Sequence, residues 1–145
     1  MARLYRTGQN RGSREIGNIM KILVLEDDPD RTYRFCNMFV GHAIVVTPDA
    51  DIAIKLLNEE KYDIIFLDHD LGGHYMVHSE ATTEKTGYTV AKEIDKTENR
   101  TTPVVIHSFN YDGAKNIEGV LARRNVLRAT FGSFDKTILN KMIGA

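Results

Sequence analysis

Two short acidic clusters stand directly after apolar runs in this 145-residue chain. Glu26-Asp27-Asp28 follows residues 22–25, and Asp68-His69-Asp70 follows residues 64–67. Carboxylates gathered in one small volume repel, and each titrates upward unless a cation neutralises it. A hard, oxygen-seeking ion such as Mg²⁺ takes a few carboxylates plus waters and a substrate phosphate. Glu26, Asp27 and Asp68 are therefore the candidate metal ligands, with Mg²⁺ as the expected ion and Mn²⁺ or Zn²⁺ as alternatives. One such cluster alone reads as solvated turn residues or helix caps. Two at equivalent places point to a site.

A third cluster, His107-Ser108-Phe109-Asn110, follows the apolar residues 104–106. Ser108 and Asn110 offer a hydroxyl and an amide for phosphate oxygens. His69 and His107 suit two different roles: acid and base in phosphodiester cleavage, or ligands to a softer ion such as Mn²⁺ or Zn²⁺. Asp70 is placed to orient one of them. His74 and His78 lie in a polar stretch, 72–86, too long for an ordinary strand-to-helix connection; it reads as a lid carrying surface histidines. His42 is assigned no role.

Strand-like and helix-like segments alternate from Met20 onward and place these clusters. Residues 22–25, 43–46, 64–67, 104–107 and 126–130 read as strands, the first a continuous apolar run suited to a parallel strand covered on both faces. Helical spacing marks 30–40, a segment capped by Asp49 or Asp51, 87–95, 114–124 and 136–143. Five β/α units predict a doubly wound parallel sheet with helices on both faces. In such sheets ligands bind beyond the carboxyl ends of the strands, where all three clusters fall.

Residues 1–19 are rich in Gly, Asn and Arg, with four arginines against Glu15 and no apolar period. They read as a flexible basic arm, with 20–145 as the domain and Met20 as the expected start of translation; an RNA-binding arm is the sharper alternative. Formal charge over the whole chain is −1, so no global field points to nucleic acid or to a membrane. No apolar run approaches the ~20 residues that span a bilayer. The single cysteine, Cys36, sits in an apolar pattern as a small core residue, and this cysteine usage fits a reducing cytoplasm. There is no Gly-x-x-x-x-Gly-Lys-Ser/Thr loop and no dinucleotide glycine fingerprint.

Lys21-Ile-Leu-Val-Leu-Glu-Asp-Asp-Pro, Tyr62-Asp-Ile-Ile-Phe-Leu-Asp68 and Pro103-Val-Val-Ile-His-Ser108 together resemble the response-regulator receiver domain, over about residues 20–143. The resemblance implies a flavodoxin-like (βα)₅ three-layer sandwich. It also implies that Glu26 and Asp27 are the acidic pair, Asp68 the phosphoacceptor and Ser108 the switch hydroxyl. The chain departs from that pattern in two places. No lysine lies between Lys115 and Lys136, where receivers carry one after the fifth strand, and Asp70-Leu-Gly-Gly replaces the proline past the phosphoacceptor. Leu67-Asp-His-Asp-Leu-Gly72 with His107-Ser-x-Asn110 is similar instead to a divergent branch, the cyclic-phosphate processing receiver domain.

That resemblance implies a phosphate-bearing small molecule or an RNA end as partner. The leading expectation is a metal-dependent phosphoesterase-like activity on a cyclic phosphate, with Asp68, His69, Asp70 and His107 as catalytic groups. The alternatives are an atypical receiver phosphorylated on Asp68 and a module that captures a nucleotide without turnover.

Overall fold

In the computed structural model of the chain, residues 2–6, 19–71, 85–121 and 125–144 are described. The elements in chain order are β1 (Arg3–Arg6), β2 (Lys21–Leu25), α1 (Pro29–Met38), β3 (Ala43–Thr47), α2 (Ala50–Glu59), β4 (Ile64–Leu67) and α3 (Gly87–Ile94). A 3₁₀ turn (Glu98–Thr101) then leads into β5 (Val104–Ile106), α4 (Tyr111–Val120), β6 (Val126–Arg128) and α5 (Ile138–Ile143). The sheet order is β1-β3-β2-β4-β5-β6. All pairings are parallel except that of β1, which runs antiparallel to β3.

This is the expected α/β sandwich with one added edge. Residues 1–19 carry no apolar period, yet Arg3–Arg6 pairs with residues 43–46. An edge strand needs only backbone partners on one side, so the polar sequence Arg-Leu-Tyr-Arg gave no apolar alternation to detect. Residues 7–18 lie outside the described residues, as do 72–84 with His74 and His78, and 122–124 at the end of the expected fourth helix.

The pleat divides the core in two. Leu23, Leu25, Ile65, Leu67, Val104 and Ile106 face α2, α3 and α4. Ile22, Val24, Ile64, Phe66 and Val105 face α1 and α5. On the second face Phe35 of α1 packs against Phe66 at 5.3 Å and Phe131 at 5.0 Å between ring centroids. Burying such a ring is worth roughly 1.5–3 kcal/mol, enough to fix α1 over the sheet. Because alternate residues share a face, Glu26, Asp68 and His107 continue the α1 side, and His69 continues the α4 side.

Element ends show where local chemistry overrode periodicity. Asp28 caps α1 through a bond from Arg31 N at 2.8 Å, with Pro29 as the first helical residue. Asp49, rather than Asp51, caps α2. α4 begins three residues earlier than expected because Asn110 caps it, its Oδ1 accepting from Gly113 N at 2.9 Å. β5 and β6 stop at Ile106 and Arg128, and α5 starts at Ile138. Among the described residues, no helix is long and apolar enough to cross a membrane.

Candidate functional site

The chain steps from β2 to β3 on one side and then to β4 on the other, so the crevice opens between the carboxyl ends of β2 and β4. Backbone bonds carry the ladder one residue past the strands. Glu26 N donates to Thr47 O at 3.0 Å, Asp68 N to Leu25 O at 3.2 Å and His107 N to Leu67 O at 2.9 Å. Three rigid strand ends therefore hold Glu26, Asp68 and His107 side by side. One ligand atom from each lies within 4.8 Å of the others, and all three residues are buried.

Glu26 is 1% exposed, and its carboxylate accepts five hydrogen bonds. Arg31 Nε reaches Oε1 at 3.0 Å and Nη2 reaches Oε2 at 2.9 Å. The Asp27 and Asp28 backbone N–H groups donate to Oε2 at 3.1 and 3.0 Å. His107 Nε2 lies 2.9 Å from Oε1, which places the ring proton on Nε2. Burial pushes the Glu26 carboxyl up, but His107, Arg31 and the Asp28 amide outweigh it and bring the pKa down to about 2.

Asp68 behaves oppositely. Burial raises its pKa to about 6, with a further push from the Glu26 charge; His107, Arg31 and a hydrogen bond from Ser108 only partly offset this. Its Oδ1 accepts from His69 N at 2.8 Å, and Arg31 Nη2 lies 3.5 Å from Oδ2. The site thus pairs one carboxylate held ionised with one that takes up a proton near neutrality, a division typical of acid–base machinery.

Arg31 is the residue that sequence reasoning missed. An arginine in the first turn of a helix is ordinary on its own; only its position three residues after the Asp28 cap, beside a strand-end glutamate, hinted at it. Its guanidinium bridges Glu26 and Asp68 and lies 5.8 Å from the Phe109 ring centroid. The chain lacks the lysine of ordinary receivers, and Arg128, at the end of β6, pairs with Glu118 and stacks on Tyr111. Among the described residues, Arg31 is the arginine or lysine that pairs with Asp68.

Two carboxylates and an imidazole suit a divalent ion by donor type, with the imidazole favouring Mn²⁺ or Zn²⁺ over Mg²⁺. Ligating an ion through Nε2 would move the ring proton to the unpartnered Nδ1 and give up the Nε2 bond to Glu26. The donor set therefore fits a cation, on one condition. Arg31 already occupies both Glu26 oxygens, so the guanidinium and an ion are alternatives.

The remaining expected site residues are distributed differently. The Asp27 carboxylate lies outside the three-residue group; its backbone N–H supports Glu26 instead. His69 is fully buried on the α4 face, where a Cβ on Gly113 would come within 2.3 Å of its ring. His107 packs on Phe35 at 5.1 Å on the α1 face. The pleat thus puts these two histidines on opposite sides of the sheet end. His69 Nδ1 lies 2.6 Å from Asp70 Oδ1, and Asn110 Nδ2 donates to both Asp70 oxygens at 3.1 and 3.2 Å. Ser108 Oγ accepts from Asn110 N at 3.0 Å while its hydroxyl serves Asp68. His69, Asp70 and Asn110 form a hydrogen-bonded brace under the site.

A parallel sheet of this order, with acids at the ends of its two central strands, defines the receiver-like class of α/β domain. The family model of the cyclic-phosphate processing receiver domain matches residues 21–123, and the chain belongs to that family. No curated protein matches the sequence. Among solved structures, the chain is similar to the receiver domain of a sensor histidine kinase from Pseudomonas aeruginosa, which holds a magnesium ion coordinated in its active-site cleft. The TM-score is 0.64 at 21% identity, covering 88% of this chain and 100% of that one. It is also similar to the phosphorylated cyanobacterial phytochrome response regulator RcpA, with TM-score 0.60, 21% identity and coverage of 88% and 91%. A CheY-like receiver domain from Methylobacillus flagellatus gives 0.60 at 16% identity, with coverage of 88% and 98%. At these identities the likeness establishes the fold alone.

Proposed function

We propose that the chain binds one divalent cation through Glu26 and Asp68, with His107 beside them, and opens a cyclic phosphate. The observation that carries this reading is the buried Glu26–Asp68–His107 group at the carboxyl ends of β2, β4 and β5. A bound ion would supply Lewis-acid polarisation of the phosphate and a more acidic water.

The chain's own residues supply the rest. Glu26, held ionised, anchors the positive charge. Arg31, once exchanged from Glu26, is a planar donor suited to two phosphate oxygens. The Ser108 hydroxyl, which bonds to Asp68, is a neutral donor for a third. Hydrolysis of a cyclic diester forms a P–O bond to water and breaks a ring P–O bond, so the water loses a proton and the leaving ribose oxygen gains one. With Asp68 held ionised against the ion, His107 beside the two acids is the group suited to that exchange. His69, Asp70 and Asn110 act by holding the β4 and β5 ends in place.

The test is incubation of the purified protein with nucleoside 2′,3′-cyclic phosphates and Mg²⁺, Mn²⁺ or Zn²⁺, with products separated by chromatography. Ring-opened monophosphate, lost in Asp68→Asn and with chelator, supports the proposal. Intact substrate with every ion contradicts it.

One observation favours a second reading, an Asp68 phosphoacceptor: Arg31 provides the cation next to Asp68 that the missing lysine left open. Acetyl phosphate with Mg²⁺ would then give a phosphoryl adduct by intact mass, absent from Asp68→Asn.

A further inference from the structure

A cavity of about 660 Å³ opens beside the acidic site, between α1 and the β1–β3 side of the sheet. Glu26 and Asp27 line it, so it shares a wall with the acidic site. Tyr33 and Asn37, four residues apart on α1, share one stripe of the helix, and Cys36 lies on the same side. Val46 of β3 and Arg3 also line it. Arg3 arrives through β1: it is the direct antiparallel partner of Val46, and directly opposed residues project from the same face. The added edge strand therefore delivers a cation to this cavity.

We infer that this cavity is a nucleoside subsite, receiving the base and sugar of a substrate whose cyclic phosphate lies at Glu26 and Asp68. The inference rests on the cyclic-phosphate reading above and specifies its substrate. The volume falls in the range of small-molecule pockets. Its chemistry matches a nucleobase better than a bare sugar phosphate. Tyr33 is 68% exposed, presenting an aromatic ring on which any base can stack. The Asn37 amide combines donors with an acceptor for the edge of a base. Val46 and Cys36 supply apolar surface, and Arg3 supplies a donor for base carbonyls or ring nitrogens.

Equilibrium binding to the full chain with saturating Mg²⁺ tests this with three probes: adenosine 2′,3′-cyclic phosphate, the base-free methyl riboside 2,3-cyclic phosphate, and adenosine. The expected result is at least about tenfold tighter binding of the nucleotide than of the base-free compound. Tyr33→Ala, and separately Asn37→Ala, then weaken the nucleotide toward the base-free value and leave the base-free compound unchanged. Equal affinity for the two cyclic phosphates, or no effect of Tyr33→Ala, overturns the subsite while the phosphate reading stands. If neither cyclic phosphate binds, the phosphate reading fails and adenosine decides: Tyr33-dependent binding upholds the subsite, and no binding overturns it. A short RNA ending in the cyclic phosphate separates an RNA terminus from a free nucleotide. Tighter binding that still depends on Tyr33 upholds the subsite with RNA as the source, and tighter binding indifferent to Tyr33 overturns it.

Discussion

Arg31 grips both oxygens of the buried Glu26 carboxylate, at 3.0 and 2.9 Å, and reaches toward Asp68 at 3.5 Å. A tethered guanidinium thus stands where a receiver-like site presents its carboxylates to a metal. Without an ion it neutralises a fully buried charge, so in the proposed reading Arg31 and a cation compete for the same acid.

Removing that guanidinium leaves Glu26 charged, buried and short of its strongest partner. Arg31→Met therefore destabilises the chelator-treated protein by about 3 kcal/mol, the lower end of what breaking a buried pair costs. Saturating Mn²⁺ restores much of that loss, because the ion replaces the missing charge. Chemical denaturation with and without Mn²⁺ checks both parts. A loss that Mn²⁺ leaves unchanged would mean that Arg31 and the ion do not share Glu26.

The two carboxylates give stability opposite slopes with pH. Asp68 has its folded pKa raised from 3.8 to about 6, so its contribution is fully present below 3.8 and is lost as pH rises through 6. Glu26 is lowered from 4.5 to about 2; its contribution is present above 4.5 and is lost as pH falls through 2. Metal-free protein should therefore lose stability between about pH 4 and 6, by an amount of order 3 kcal/mol. Asp68→Asn should remove that slope and be the more stable protein at pH 7. Urea midpoints measured across pH 4–7 in chelator check this, and a parallel slope in the variant would contradict it.

Gly113 leaves no room for a side chain. A Cβ there would lie 2.3 Å from the His69 ring, in the first turn of the helix that Asn110 caps. Gly113→Ala must push His69 away from Asp70 or shift α4, at about 1–3 kcal/mol for overpacking. Thermal melting checks the cost. The double variant Gly113→Ala with His69→Ala should recover much of it, since the clashing ring is gone.

The strands and their acids were legible because residues 22–25 and 64–67 are continuous apolar runs that end in carboxylates. The face each acid takes was not, although even-numbered residues from Ile22 to Glu26 and from Ile64 to Asp68 share one side of the pleat. That parity separates His69 from Asp68, and adjacency in sequence hides it. The cap made by Asn110 was not legible, because a cap and a phosphate ligand use the same amide; its Oδ1 accepts from Gly113 N. Arg31 and β1 stayed hidden for a common reason. Each depends on a partner brought near by the fold, Glu26 in one case and the β3 edge in the other.

The most direct test of the account is calorimetric titration of Mn²⁺ into the chelator-stripped protein at pH 7, for wild type, Glu26→Gln, Asp68→Asn and Arg31→Met. The expected result is one ion per chain, binding lost or weakened at least about tenfold in Glu26→Gln and Asp68→Asn, and tightened in Arg31→Met. Equal affinity in wild type and both carboxylate variants, or no binding even in Arg31→Met, would contradict it.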